Sequence, residues 1–252
     1  MMRNALARAL GFSALIMTIP ALANASSITW GAATNISGDA DVSTSGALVG
    51  AFNIGGPGIG ATTVNGVLFS PFALSGTSST NADFTFSTAP GFLSNNNVGT
   101  GSAPFSTLSA AYQTMLSSFT GNDNSALVLT IADLTPGNDY QFQWWFNNSD
   151  ATGDFATTAT AGNAVILVWN TSFAIGGLGQ FAIGTFTADA TGSEVITFSN
   201  VASVGPLGGI DALQLRDLGD PPAVPEPSSM LLLGTGLVGI GTRRWRNRRQ
   251  RS

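Results

Sequence analysis

The side chains that most often carry out chemistry in proteins are missing from this sequence. It has no cysteine, histidine or lysine, and all nine of its basic residues are arginines. Cysteine nucleophiles, Ser-His-Asp relays, zinc sites with Cys or His ligands and lysine Schiff bases are therefore excluded. A pair of carboxylates could still act as in glycosidases, but the only glutamates are Glu194 and Glu226 and no spacing selects a pair of aspartates. We therefore expect a protein that is not an enzyme and that uses no cofactor.

The strongest candidate for ligand contact is an aromatic residue flanked by amides. Tyr140–Asn147 has apolar residues at every second position, which predicts a strand with Trp145, Gln141 and Gln143 together on its other, more polar face. A flat indole can cover the C–H face of a sugar while amides bind its hydroxyl groups. These three residues are thus a predicted platform for extracellular polysaccharide. The alternative is that Trp145 packs beneath a loop or against a helix.

Two aspartates on a glycine-containing loop, Asp39 and Asp41, could offer carboxylates to calcium. Their spacing does not match the twelve-residue calcium-binding loop, and Asp-Gly loops are most often solvated turns. We therefore predict no metal site here.

Charge is strongly segregated along the chain. Thirteen of the fourteen acidic residues lie between Asp39 and Asp220, where Arg216 is the only base, so this region carries a net charge of −12. Nucleic-acid binding depends largely on positive charge facing the phosphates. We therefore expect no nucleic-acid partner for this region.

The elements that would position these residues are mainly strands. Period-two apolar patterns punctuated by Gly, Pro, Asn and Asp predict an antiparallel, jelly-roll-like β-sandwich over residues 26–219. One short helix is predicted over Thr107–Ser118, with Ser106 or Thr107 as its cap. The predicted strands are Leu127–Leu134, Tyr140–Asn147, Ala164–Asn170, Phe181–Ala188, Glu194–Val201 and Ile210–Arg216, and less clearly Ser27–Gly31, Leu48–Ile54, Thr63–Phe69 and Asp83–Ser87.

The first 25 residues are typical of a secretory signal peptide that forms an N-terminal signal helix. A positively charged start precedes an apolar run, and Ala23 and Ala25 supply the small residues that signal peptidase requires. Cleavage after Ala25 would make Ser26 the first residue of the mature chain, and cleavage after Ala23 is the alternative. The segment could instead be an uncleaved anchor.

The C-terminal end combines a proline-rich linker, a short apolar segment and a basic tail. Residues 220–227 contain Pro225, Glu226 and Pro227, and residues 228–252 contain the apolar segment and then most of the arginines. Ser228–Thr242 would span about 22 Å as a transmembrane helix, less than a hydrocarbon core of about 30 Å. This length suits a temporary anchor in the inner membrane. The stop-transfer arginines that should stay in the cytoplasm are Arg243, Arg244, Arg246, Arg248 and Arg249.

The order Pro225-Glu226-Pro227, apolar helix and arginine cluster resembles the PEP-CTERM sorting signal of exported Gram-negative bacterial proteins. The resemblance covers residues 224–252. It implies recognition and cleavage near the Pro-Glu-Pro triplet by a membrane-embedded exosortase. It also implies delivery of the body to the cell surface, extracellular matrix or biofilm, in a structural or adhesive role. Alternatively, the prolines form only a stiff extended spacer.

The body resembles uncharacterised β-sandwich ectodomains that precede such sorting signals. The residues that carry this resemblance are Ser26–Gly31, Leu134–Tyr140 and Gly179–Asp189, and Ile210–Arg216 is similar to the last strand of galactose-binding-like jelly rolls. These are strand and turn patterns, so the resemblance implies a fold and leaves the ligand open.

Overall fold

The computed structural model describes residues 26–221 apart from Pro90, Asn124 and Val204. The predicted signal helix (1–25) and the predicted transmembrane helix and basic tail (228–252) lie outside the described residues. Within the described part, no helix has the length and apolar character needed to cross a membrane.

The described residues form seventeen strands, one α-helix and two 3-10 turns. The helix, α1, is Ala110–Met115, and the 3-10 turns are Asp39–Asp41 and Phe105–Thr107. The strands are β1 (Thr29–Trp30), β2 (Thr34–Asn35), β3 (Ala47–Gly55), β4 (Thr62–Val64), β5 (Val67–Ala73), β6 (Ser78–Asn81), β7 (Phe84–Ser87), β8 (Leu93–Asn95), β9 (Phe119–Asp123), β10 (Leu127–Ile131), β11 (Asp139–Phe146), β12 (Ala156–Ala161), β13 (Asn163–Val168), β14 (Gln180–Thr187), β15 (Glu194–Asn200), β16 (Leu207–Ile210) and β17 (Ala212–Gly219).

These strands form two large sheets and one small one. Sheet A has the order β1-β14-β11-β17-β3-β5-β4, with β2 also pairing with β14. Sheet B has the order β13-β12-β15-β10-β7-β6, and a third sheet has the order β16-β9-β8. The mainly β class and the sandwich are as predicted. One strand pairing departs from the antiparallel prediction, because β3 and β5 run parallel.

The parallel pair is possible because β4 folds back on β5 through a tight hairpin. The two turn residues, Asn65 and Gly66, have φ angles of 47° and 75°. Positive φ at both central positions is the geometry that best suits a two-residue hairpin, and Asn-Gly adopts it readily. The predicted single strand Thr63–Phe69 is therefore two strands.

The main core lies between sheets A and B. Residues at alternate positions of β11, Phe142, Trp144 and Phe146, point into it and are fully buried. Trp144 packs edge to face on Phe198 of β15, with ring centroids 5.0 Å apart. The period-two pattern thus predicted this face of the strand correctly.

The opposite face of sheet A is also covered, which the sequence pattern did not indicate. A second apolar cluster joins this face to α1 and to the segment 36–46, which includes the first 3-10 turn. Tyr112 and Met115 of α1 are fully buried against Trp145 of β11. Sheet A is therefore the middle layer of the molecule, and β11 has no solvent-facing side along most of its length.

The helix is shorter than predicted and begins later. Its N-cap is Ser109, whose Oγ accepts a hydrogen bond from the Tyr112 N–H at 3.1 Å, so the prediction of Ser106 or Thr107 as the cap is wrong. Leu108 has extended backbone angles, which separate α1 from the preceding 3-10 turn. Six strands were missing from the prediction: β2, β6, β8, β9, β12 and, apart from its last residue, β16.

Candidate functional site

Trp145 lies in the interior, so the prediction that it forms an exposed ligand platform is wrong. Trp145 and Gln143 are both 0% exposed, whereas Gln141 is half-buried. The indole Nε1 donates to the Tyr112 hydroxyl at 2.9 Å, and the ring meets Phe69 edge to face at 5.7 Å between centroids. The helix therefore covers Trp145, as the alternative interpretation had it, and the ring cannot stack on a sugar.

Gln143 uses its amide to hold the segment 36–46 on sheet A. Its Oε1 accepts from the Ser43 N–H at 3.0 Å and from Gln214 Nε2 at 2.6 Å. Its Nε2 donates to the Asp41 carbonyl at 2.7 Å. The amide is therefore bound within the protein, and burial away from solvent makes each of these bonds costly to lose.

Arg216 continues this network and was not predicted as a functional residue. The guanidinium Nε donates to the Ser45 carbonyl at 2.6 Å, and Nη2 donates to the carbonyls of Thr44 and Gly46 at 3.2 and 3.0 Å. Nη1 reaches Gln214 Oε1 at 3.3 Å. Arg216 is 7% exposed, so a buried cation bridges β17 to the segment 36–46 through carbonyl oxygens.

Asp39 and Asp41 serve as acceptors for protein donors rather than as a pair facing a cation. The Asp41 carboxylate accepts from the Ser37 N–H at 2.7 Å, the Ser37 hydroxyl at 2.6 Å and the Tyr112 hydroxyl at 3.0 Å. Asp39 accepts from the Ser109 hydroxyl at 2.6 Å. Within the described residues, no group of three or more His, Cys, Asp or Glu side chains could hold a metal ion.

Burial raises the pKa of Tyr112 well above its ordinary value, and the neighbouring Asp41 charge adds to the effect. Tyr112 therefore stays neutral and can both accept from Trp145 and donate to Asp41. This chain of hydrogen bonds links β11, α1 and the first 3-10 turn. It is structural in character, because all of its groups pair with one another.

A polar cleft lies between the loop Gly56–Gly60 and α1. It has a volume of about 390 Å³, and none of the described residues that line it is charged. Asn53 fixes one side, since its Nδ2 donates to the Gly60 carbonyl at 3.1 Å and its Oδ1 accepts from the Ser118 hydroxyl at 2.9 Å. The other polar residues that line the cleft are Asn96, Gln113, Thr114 and Ser117.

The cleft presents uncharged polar side chains, and each of them also forms a hydrogen bond within the protein. Asn96 holds the loop by accepting from the Gly56 N–H at 2.7 Å and donating to the Pro57 carbonyl at 3.0 Å. Amides and hydroxyls can form hydrogen bonds with sugar hydroxyls without the cost of burying a charge. No aromatic ring lines the cleft, so any binding there would depend on hydrogen bonds.

A second feature is an acidic corner where the described chain begins. Glu194 of β15 is 3% exposed and is the only glutamate among the described residues. The Ser26 hydroxyl donates to its Oε2, and Asp189 lies in the same groove, which has a volume of about 380 Å³. Desolvation raises the pKa of Glu194 to about 7, and the Asp189 charge adds to the effect.

Asp211 interrupts the predicted strand Ile210–Arg216 and is fully buried. Its backbone N–H donates to the Trp145 carbonyl at 3.0 Å, and its carbonyl accepts from the Ile54 N–H at 2.7 Å. Both carboxyl oxygens are without a hydrogen-bond partner. Burial raises the pKa of Asp211 well above its ordinary value, which favours the protonated, neutral form.

The remaining predicted site residues lie outside the described residues. These are the signal peptidase residues Ala23 and Ala25, the motif Pro225, Glu226 and Pro227, and the stop-transfer arginines. The family model for the PEP-CTERM protein-sorting motif matches residues 223–249, which contain the whole Pro-Glu-Pro triplet and the arginines from 243 to 249.

Comparison with curated proteins found no match. Among solved structures, the enzymatically active domain of bacteriophage CBA120 tailspike protein 4 is 18% identical with a TM-score of 0.30, covering 54% of this chain and 19% of that chain. The chain thus spans about a fifth of the length of that protein. CBM35 from Cellvibrio japonicus Abf62 is 15% identical with a TM-score of 0.29, covering 66% of this chain and 91% of that one.

These structural likenesses are weak. The assignment of a sandwich fold rests on the two facing sheets of this chain and on the core between them. The assignment of the tail rests on the family match and on the order of its parts. The chain carries a PEP-CTERM protein-sorting motif at its C-terminal end.

Proposed function

We propose that this protein is a non-catalytic surface or extracellular-matrix protein that an exosortase releases from a transient anchor in the inner membrane. The observation that carries the proposal is the family match over residues 223–249. The body serves a structural or adhesive role after cleavage at or near Pro225, Glu226 and Pro227.

The charge distribution supports this route. The tail after Pro227 holds six of the nine arginines, whereas the body from Asp39 to Asp220 holds one. Arginines next to an apolar segment favour the cytoplasmic side of a membrane. The acidic body would then be outside, and cleavage near the triplet would leave the arginines behind.

Mass spectrometry of the protein recovered from the surface of the producing cells tests the proposal. We expect a C-terminus at or near residues 225–227, with the tail absent. The membrane fraction of the same cells is the control, and it should contain the precursor with its tail. Surface-located protein that is intact to Ser252 would overturn the proposal.

Carbohydrate binding is the second candidate function, and the uncharged cleft beside α1 favours it. Its walls present amides and hydroxyls at fixed positions. In this candidate the ligand is a neutral segment of matrix polysaccharide, bound in the cleft rather than on Trp145.

Replacing Thr114 with glutamate is expected to abolish such binding, because Thr114 is exposed and lines the cleft. The new side chain would fill the space and add a charge. Binding to a glycan array before and after the change is the measurement. Thr160→Glu, at an exposed position of β12 in sheet B, is the matched control. Equal binding by wild type and Thr114→Glu would exclude the cleft as the site.

A further inference from the structure

The acidic corner around Ser26 lies at the position where the predicted export processing begins the mature chain. Ser26 comes directly before Ser27 and Ile28, and Ile28 is fully buried. The Ile28 N–H donates to the Ala161 carbonyl at 2.9 Å, and Ile28 forms a parallel bridge with Gly162. These contacts fix the chain two residues after Ser26, so Ser26 has a defined place against sheet B.

Both carboxylates of the corner face Ser26. The Ser26 hydroxyl donates to Glu194 Oε2. Asp189 lines the same groove as Ser26 and Glu194, and hydrogen bonds from the Thr191 hydroxyl and N–H lower the pKa of Asp189. The two carboxylates and the first residue of the predicted mature chain therefore lie together in one groove.

No side chain of the body can neutralise this corner. Arg216 is the only base between residues 26 and 220, and its guanidinium is already bound by the carbonyls of Thr44, Ser45 and Gly46. A carboxylate as buried as Glu194 is costly to ionise without a nearby cation. Among the residues that the structure describes, the corner therefore has no positive partner as long as Ser26 is linked to a preceding residue.

Signal peptidase would supply that partner. Hydrolysis of the Ala25–Ser26 bond adds water across the peptide bond. It leaves a carboxylate on Ala25 and a new amino group on Ser26, which is protonated at neutral pH. We propose that the α-ammonium group created on Ser26 binds between Asp189 and Glu194, so that export processing locks the first strand onto the sandwich. The inference rests on the proposed export and on cleavage after Ala25.

The position of cleavage matters to this inference. Cleavage after Ala23 would leave Asn24 and Ala25 in front of Ser26 and would move the charge by up to about 7 Å along an extended chain. The ammonium group would then no longer be on Ser26, the residue that contacts Glu194. Capture in the acidic corner is thus specific to a chain that begins at Ser26.

The absence of lysine makes the test unusually direct. Because the sequence contains no lysine, the α-amino group is the only primary amine of the mature protein. The first measurement is mass spectrometry of the mature protein from the producing cells, which should find Ser26 at the N-terminus. A different N-terminus would overturn the inference, while the C-terminal analysis described above would still decide the proposed exosortase cleavage.

The second measurement compares this protein with a sample acetylated by an N-hydroxysuccinimide ester. We expect the free-amine form to unfold about 3 °C higher at pH 7.5 than the acetylated form. We also expect the ester to react with the folded protein at least about fivefold more slowly than with the unfolded chain at pH 8. The reason is that two neighbouring carboxylates raise the pKa of the ammonium group. Equal unfolding midpoints for the two forms would overturn the inference.

The pH dependence provides a signature that a purely steric effect of acetylation would not give. Without the ammonium group, burial raises the pKa of Glu194 to about 7 from an ordinary value of 4.5. The folded state then binds more protons than the unfolded state between these values, so stability falls as pH rises through this window. Asp189 is the other titratable group facing the corner. The free-amine form should lack most of this fall, and its advantage should therefore grow from pH 5 to pH 7.5.

Variants identify the carboxylate responsible. In Glu194→Gln, the difference in unfolding midpoint between free and acetylated protein should fall to less than half of the wild-type difference. Asp154→Asn changes an exposed carboxylate on a loop and should preserve the full difference. An unchanged difference in Glu194→Gln would contradict the role of Glu194.

Discussion

Replacing Pro225, Glu226 and Pro227 together with alanine is expected to abolish surface delivery and to retain the full-length precursor in the inner membrane. The three residues lie near the start of the matched sorting motif, which covers residues 223–249. In the proposed route they are what the exosortase recognises. Without cleavage, the apolar segment and the arginine cluster remain attached to the body and hold it at the membrane.

Cell fractionation followed by immunoblotting measures this outcome. The matched control replaces Pro221 and Pro222 with alanine, which lie just before the matched residues. If the prolines act only as a stiff spacer, both variants should behave alike. Normal surface delivery of the triple-alanine variant would contradict a role for the motif in sorting.

Replacing Arg216 with methionine is expected to lower the free energy of unfolding by about 3 kcal/mol. Methionine preserves much of the packing of the arginine stem but removes all five donors. Three backbone carbonyls and Gln214 Oε1 would lose their partner. Each buried acceptor left unpaired costs on the order of 1 kcal/mol or more, less whatever water recovers at the edge of the site.

Urea unfolding of the protein measures the change. An equal dependence of the unfolding free energy on urea concentration in wild type and variant would show that both expose the same surface on unfolding. Arg216→Lys is the informative control. It keeps the charge but loses the planar fork that reaches three carbonyls, so it should fall between wild type and Arg216→Met. Ordinary surface substitutions change the free energy of unfolding by up to about 0.5 kcal/mol. If Arg216→Met lowers it by less than this, the network does not hold the segment 36–46.

The strands of the sandwich could be predicted because their apolar residues alternate. The pattern in β11 correctly placed Phe142, Trp144 and Phe146 on the core face. The same reasoning misplaced Trp145, because alternation shows that two faces differ without showing what covers the second one. The second face of β11 is covered by α1 and the segment 36–46, which are distant from β11 in sequence. The alternation of residues within one strand carries no information about such distant segments.

The buried polar residues were harder to predict for a related reason. Gln143, Gln214 and Arg216 look like ordinary solvent-facing residues in a strand, yet all three are at most 7% exposed. One signal was present in the sequence, because Arg216 is the only base in a strongly acidic body and follows an apolar stretch. Most partners of Arg216 are backbone carbonyls, which every residue has. No acidic residue in the sequence could therefore have pointed to them.

The polar cleft was absent from the predictions because its residues come from three separate segments. Asn53 belongs to β3, Asn96 follows β8, and Gln113 belongs to α1. None of the three stands out alone, since asparagine and glutamine are common in turns and on surfaces. Only the fold brings them together, and it does so through hydrogen bonds to the loop Gly56–Gly60.

The burial of Arg216 also affects how readily trypsin-like proteases can cut the protein. Trypsin-like enzymes cleave after arginine or lysine, and between Ser26 and Pro227 this chain offers them one such bond. That bond follows a side chain that is 7% exposed and held by four acceptors. Cleavage there requires the strand to leave the sheet, so digestion would proceed only as often as the ectodomain opens. The other eight arginines lie in the two end segments that processing is proposed to remove, which would leave a mature chain resistant to this class of protease.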